Sequence, residues 1–120
     1  KIKSLNKNNK KRQKIAKIYN QNITNNKITK LNYSATCVFH QYVILIKNKN
    51  KLIKLLNEKN IQFGFHYPYA IHQLQIFKKR FKGLKFKNAE RLSKEGISIP
   101  IDPNLNNKEL NTIINILNVF

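Results

Sequence analysis

Residues 38–46 read Val-Phe-His-Gln-Tyr-Val-Ile-Leu-Ile, with β-branched and aromatic side chains falling on both faces of any extended segment. Such a run suits a strand buried on both sides. A fold that contains it needs material packed above and below, and the helical patterns elsewhere in the chain supply that cover. Ile15, Ala16, Tyr19 and Ile23 recur at helical spacing within a helix expected over residues 3–22, ended by Asn25-Asn26. Leu52, Leu55 and Leu56 form one stripe of a helix running to Lys59, with Asn48 or Asn50 as its cap. Leu110, Ile113, Ile114 and Leu117 share a face of the last helix, which Asn106 and Glu109 introduce as a capping box.

Between these lie two further extended segments. Residues 61–67 are predicted as a second strand that Pro68 ends, and residues 97–101, Ile-Ser-Ile-Pro-Ile, as a third. Pro100 cannot donate to a ladder, so the third strand is short or lies on an edge. A short helix with Leu74, Ile76 and Phe77 and a basic loop around Gly83 separate them from a helix over residues 88–95. There Glu90 stands four residues before Lys94, the favourable orientation for an ion pair, and Gly96 is the stop. Asp102-Pro103-Asn104 reads as a turn. The expected class is α+β: a small, mostly antiparallel sheet of about three strands covered by helices, in the order of one domain.

Composition sets the outer limits. A chain of 120 residues that is 41% hydrophobic is too apolar for a disordered tail and buries about two thirds of its unfolded surface. One cysteine, Cys37, makes no internal disulfide, which fits a reducing, cytoplasmic setting. No apolar run approaches the roughly 18 residues of a membrane span, so no membrane partner is expected. No methionine occurs, and Lys1 is expected to be internal to a longer protein.

The net charge of +19 admits a nucleic-acid reading. Residues 77–87 interleave Phe77, Phe81 and Phe86 with six basic residues, and aromatic faces stack bases while cations neutralise phosphates. Asn, Lys and Ile are enriched together, however, and share A- and T-rich codons. Selection for phosphate binding would not enrich Asn, and nearly all the cations are Lys rather than the better-matched Arg. A small basic nucleic-acid-binding domain is therefore the alternative, and no specific nucleic acid is the expectation.

Self-contained catalysis finds no support. His40, His66 and His72 have no cluster of acids or thiols around them that would make a metal site. A Cys37–His40 nucleophile pair lacks an orienting third group. The five acids are scattered, and three glycines make no phosphate loop. Catalytic and metal-binding residues are expected to be none. Substrate contact remains: in His66-Tyr67-Pro68 the proline restricts Tyr67, and imidazole and phenol groups at a strand end hydrogen-bond hydroxyls or a pyrophosphate. Closing the sheet end is the plainer role for the same pair.

Three features in order carry a resemblance: His66-Tyr67-Pro68 after a strand, His72 downstream, and Asn88-Ala89-Glu90-Arg91 leading to Ile97-Ser98-Ile99-Pro100. Upstream, Lys11, Arg12, Ile15, Ala16 and Tyr19 fit a basic, Ile-Ala, Tyr helix pattern. Together they resemble the C-terminal domain of the DegT/StrS-type sugar aminotransferases, which use pyridoxal phosphate. The resemblance implies the small domain of a fold-type-I aminotransferase over residues 1–120, with a leading helix in 1–24 and an α+β core in 36–120. It implies amino transfer from an amino acid to a nucleotide-linked keto-sugar by a full-length homodimer. It places His66, Tyr67, His72 and His40 at the substrate, and the lysine and pocket that hold pyridoxal 5'-phosphate outside this chain, which alone is expected to bind no cofactor. The stretch Tyr69-Ala70-Ile71 departs from the Pro-rich run usual after His-Tyr-Pro.

Overall fold

A computed structural model describes residues 2–120. The chain opens with α1 (Ile2–Asn22), continues through β1 (Thr29–Lys30), β2 (Tyr42–Leu45) and α2 (Asn50–Glu58), and returns through α3 (Lys87–Glu95), β3 (Gly96–Ile99) and α4 (Asn107–Val119). A single 3-10 turn, Ile71–Gln73, interrupts the long excursion between α2 and α3. The strands form one antiparallel sheet in the order β1-β2-β3, with Tyr42 opposite Ile99 and Leu45 opposite Gly96. This is the α+β fold with a three-stranded antiparallel sheet that the apolar patterning predicts.

The core follows the helical stripes. Ile15, Ala16 and Tyr19 of α1, Leu52 and Leu56 of α2, and Leu110, Ile113, Ile114 and Leu117 of α4 pack with Tyr42, Ile44, Ile97 and Ile99 from the sheet. Tyr19, Tyr42, Leu52, Leu56, Ile97 and Leu117 are buried to the last atom or nearly so. Asn106 accepts from the Glu109 N–H at 3.0 Å while Glu109 accepts from the Asn106 N–H at 2.8 Å, the reciprocal box expected at the start of α4.

Strand membership differs from the sequence reading. The extended run begins at Tyr42 rather than Val38, because Phe39 takes a left-handed backbone with φ near 52° that turns the chain. A bulky residue pays for that conformation, and here its ring is buried against Tyr33 and Tyr42, with centroids 5.1 and 6.1 Å away. Residues 61–67 contribute one bridge, Gly64 opposite Ser98, and no strand. The third strand is β1 instead, two residues that no periodicity announces. Beyond Lys30 the Tyr33 hydroxyl accepts from the Val43 N–H at 3.0 Å and donates to the Val43 carbonyl at 3.3 Å, taking the place of a further strand residue.

The helix ends also deviate in instructive ways. Neither Asn48 nor Asn50 caps α2; Lys49 is already helical there, and its Nζ crosses to the Gly96 carbonyl at 3.1 Å. Asn60 ends α2 from the left-handed region, with its N–H on the Asn57 carbonyl and that of Ile61 on Leu56. The helix expected around Leu74–Phe77 is a series of turns. Asn118 joins the far ends of α1 and α4. Its Oδ1 accepts from the Thr24 N–H at 2.8 Å, its Nδ2 donates to the Asn22 carbonyl at 2.9 Å, and Asn25 donates back to Leu117.

Candidate functional site

Four separate segments converge on one cavity of about 370 Å³ at the end of the sheet where β2 begins. Arg12 comes from α1, His40 and Gln41 from the turn before β2, Gln62, Phe63, Gly64 and His66 from the bridge segment, and Ser98 to Asp102 from the end of β3. Each wall is held by a long-range bond. The Tyr19 hydroxyl donates to the Pro100 carbonyl at 2.8 Å, which fixes the β3 exit to α1. Gln13 donates to the Cys37 carbonyl at 3.0 Å and holds the approach to His40 against the same helix. Burial holds the Tyr19 phenol protonated, pushing its pKa well up, with the neighbouring Tyr42 adding to the shift.

His66 is the best-defined side chain in the cavity. Its Nδ1 and the Ser98 Oγ are 2.9 Å apart, and the backbones of Gly64 and Ser98 exchange both hydrogen bonds at 2.8 and 3.0 Å. The ring folds back over Gly64 so closely that a Cβ there would stand 2.5 Å from His66 Cε1. Only a residue without a side chain leaves that space. The peptide bond between His66 and Tyr67 is cis.

The four residues predicted to touch substrate are thus divided. His40 and His66 meet in the cavity. Tyr67 stands 75% exposed beside them, its ring edge-on to His66 at 5.9 Å. His72 does not line the cavity. Its Nε2 lies 3.0 Å from Glu90 Oε1, its ring packs on Phe86 at 4.9 Å, and only 11% of its side chain is exposed. The same Glu90 oxygen accepts from the Phe86 N–H at 2.9 Å, so His72 fastens the excursion to the first turn of α3. That backbone donor, followed by His72 and Lys85, holds the Glu90 carboxyl below the usual carboxylate range. Glu90 therefore does not make the predicted pair with Lys94; Arg91 pairs with Glu95 instead, at 2.9 Å.

Sequence reasoning passed over Arg12, Gln62 and Ser98. Arg12 reads as one more surface cation in a polar helix, and only its position three residues before Ile15 and seven before Tyr19 hints that it borders the buried face. In the structure it makes no ion pair, only a long contact of 3.4 Å to Asn9 Oδ1. The one carboxylate of the cavity, Asp102, is turned into its own loop, accepting from the Asn104 N–H at 2.7 Å. The site is therefore a hollow with one guanidinium, two imidazoles and hydroxyl and amide groups around it, suited to a polar ligand.

Other chemistry is not assembled among the described residues. No three of His, Cys, Asp and Glu come together as metal ligands would. Pyridoxal phosphate needs a desolvated lysine beside an anion cradle and a partner for its ring nitrogen. The one lysine whose pKa burial lowers, Lys49, is committed to the Gly96 carbonyl and stands 4.4 Å over the Phe65 ring. That arrangement does not fit the cofactor. In the basic stretch, Phe77, Phe81 and Phe86 pack on one another at 6.1 and 6.2 Å rather than standing free as stacking platforms. No helix among the described residues is long and apolar enough to cross a membrane.

Known proteins share this fold over part of their length. The sequence model of the DegT/DnrJ/EryC1/StrS aminotransferase family matches residues 1–118. The dTDP-3-amino-3,6-dideoxy-alpha-D-galactopyranose transaminase of Aneurinibacillus thermoaerophilus is 27% identical over 122 residues, covering all of this chain and 33% of its own length. Helicobacter pylori PseC, an aminotransferase involved in the biosynthesis of pseudoaminic acid, superposes with a TM-score of 0.83 at 26% identity, over 97% of this chain and 33% of its own. DesV of S. venezuelae superposes with a TM-score of 0.87 at 19% identity, over 98% of this chain and again 33% of its own. The chain spans about a third of the length of these relatives. With the family pattern matched over residues 1–118 and the fold shared, the chain belongs to the DegT/DnrJ/EryC1/StrS aminotransferase family.

Proposed function

We propose that these 120 residues form the C-terminal small domain of a pyridoxal-phosphate-dependent aminotransferase that moves an amino group from an amino acid to a nucleotide-linked keto-sugar. Residues 1–24 lead into the domain and residues 36–120 make its α+β core. The full-length enzyme is a homodimer in which the cofactor lies on the remaining two thirds, and this chain alone neither holds it nor transaminates. The convergence of Arg12, His40 and His66 in one cavity carries this reading for the substrate: a guanidinium with no ion-pair partner among the described residues stands beside two imidazoles, groups that hydrogen-bond an anionic ligand. Arg12 and His40 meet the diphosphate, His66 is oriented by Ser98 to hydrogen-bond it or a sugar hydroxyl, and Tyr67 forms the rim. His72 acts through Glu90 as a positioning residue.

The test is a chimera in which this chain replaces the matching third of the Helicobacter pylori enzyme, followed by His66→Ala. The visible absorbance of the bound cofactor is expected to stay as it was. The kcat/KM of the sugar half-reaction should fall by about one to two powers of ten, the worth of a hydrogen bond to a charged group. The amino-acid half-reaction should be nearly untouched. Equal loss in both halves would assign His66 to folding, and no loss would remove it from the site. Tyr67→Phe, which deletes one hydroxyl and keeps the ring, is the companion control.

A further inference from the structure

Large apolar side chains that stand exposed are not spread over this molecule. Eight of the twelve among the described residues fall in residues 67–92, and Tyr67, Tyr69, Ile71, Ile76 and Leu84 are each more than half exposed. The segment is not loose. His72, Glu90 and the Phe86 N–H clasp it, and the half-buried rings of Phe77 and Phe81 pack on each other at 6.1 Å within it. It is a built lobe whose outward apolar groups meet nothing. The whole chain is correspondingly extended: its radius of gyration is 16.0 Å, where about 13.6 Å is usual for a free-standing domain of this length. A surface of this kind marks an interaction site.

Charge narrows the occupant. Residues 67–92 carry seven Lys or Arg and one acid, Glu90, which His72 and the Phe86 N–H already engage. The partner face must be apolar at its centre and acidic at its rim. This chain has none to offer a second copy. Of its other acids, Glu58 faces Lys54, Glu95 holds Arg91, and Asp102 and Glu109 are tied into a turn and a cap. A two-fold pairing of the lobe with itself would set like charges against each other.

The geometry points to the lobe of residues 67–86 as a docking surface for an acidic-rimmed apolar face on the part of the enzyme outside these 120 residues. This rests on the small-domain reading above, and the relatives' threefold greater length supplies the chain to cover it. Binding the lobe is what seats His66 and Tyr67, at its near end, against the rest of the enzyme.

Hydrogen exchange at the amides of residues 69–86 reads this directly, in the chain alone and in the chimera. The lobe is expected to exchange at least about tenfold more slowly in the chimera. Ile76→Lys with Leu84→Lys should return it to the rate of the free chain while the amides of β2 keep theirs. Equal rates in both, in a chimera that melts in one transition, would overturn the docking and leave the small-domain reading standing. Two independent transitions would sink both. The free chain supplies a further check that needs no chimera. Slowing of the lobe at physiological salt by a single-stranded oligonucleotide, by phosphatidylglycerol vesicles, or by raised chain concentration alone would assign the surface elsewhere and overturn the proposal.

Discussion

Gly64→Ala tests whether the His66 ring is placed by crowding as well as by its hydrogen bond. The added methyl would stand 2.5 Å from His66 Cε1 and 3.2 Å from Nδ1, both in a side chain that is free to swing. The ring must leave, and with it goes the 2.9 Å contact to Ser98 Oγ. That bond is worth about 1 kcal/mol, and a displaced rotamer costs about 0.5–1.5 kcal/mol more. Against these stands a gain of about 0.4–1 kcal/mol, because alanine restricts the unfolded chain at a position whose φ lies outside the left-handed region. The net effect is a destabilisation of about 1 kcal/mol. In a His66→Ala background the obstacle is absent and only the gain remains, so the same substitution should stabilise. Urea unfolding of the four proteins of the double-mutant cycle measures both legs. An equal cost of Gly64→Ala with and without the imidazole would show that the glycine answers to something other than His66.

Ile114→Asp places an unpaired charge at a position 6% exposed and is expected to cost more than about 4 kcal/mol or abolish folding, whereas Lys108→Ala at the polar start of α4 should change the melting temperature little. An unchanged melt for Ile114→Asp would mean the face of α4 is wrongly oriented. The lowered pKa of Glu90 predicts a contribution that is complete above the ordinary glutamate value of about 4.3 and is lost as pH falls through the lower folded value. Wild type should therefore exceed Glu90→Gln in urea midpoint near neutrality and converge with it in acid; a gap that persists undiminished at about pH 2 would refute the assignment.

Legibility in the sequence tracked the range over which each element is decided. The helical faces of α1, α2 and α4 and the capping box at Asn106 depend on neighbours three or four residues away, and they stand in the structure as the pattern implied. The errors arose where distant groups intervene. Residues 61–67 alternate like a strand yet meet the sheet at one residue, because the His66 ring and the turn into Pro68 occupy the place where pairing would continue. β1 is two residues long, and beyond it Tyr33 takes up the pairing groups of Val43, ten positions away. Glu90 chose His72, eighteen residues upstream, over the Lys94 of its own helix. For the candidate site, two histidines named from the chain share a cavity, but Arg12 joins them only because Tyr19 ties α1 to Pro100 across 81 positions.

The Tyr33 hydroxyl and the Gly64 bridge bear on how such a small sheet stays solitary. Three strands leave two open edges, and unpaired N–H and C=O groups along an edge template growth by another chain. On the β1 side the phenol occupies both polar groups of Val43 at once, so an incoming strand finds no register there. On the β3 side Gly64 takes both groups of Ser98, and the imidazole of His66 lies across the approach. At Val43 and at Ser98 a single residue rather than a further strand takes the free pairing groups. A tyrosine and a glycine thereby do for aggregation resistance what longer sheets achieve with charged or proline-bearing edge strands, and the ring that guards one border is the same one that faces the cavity.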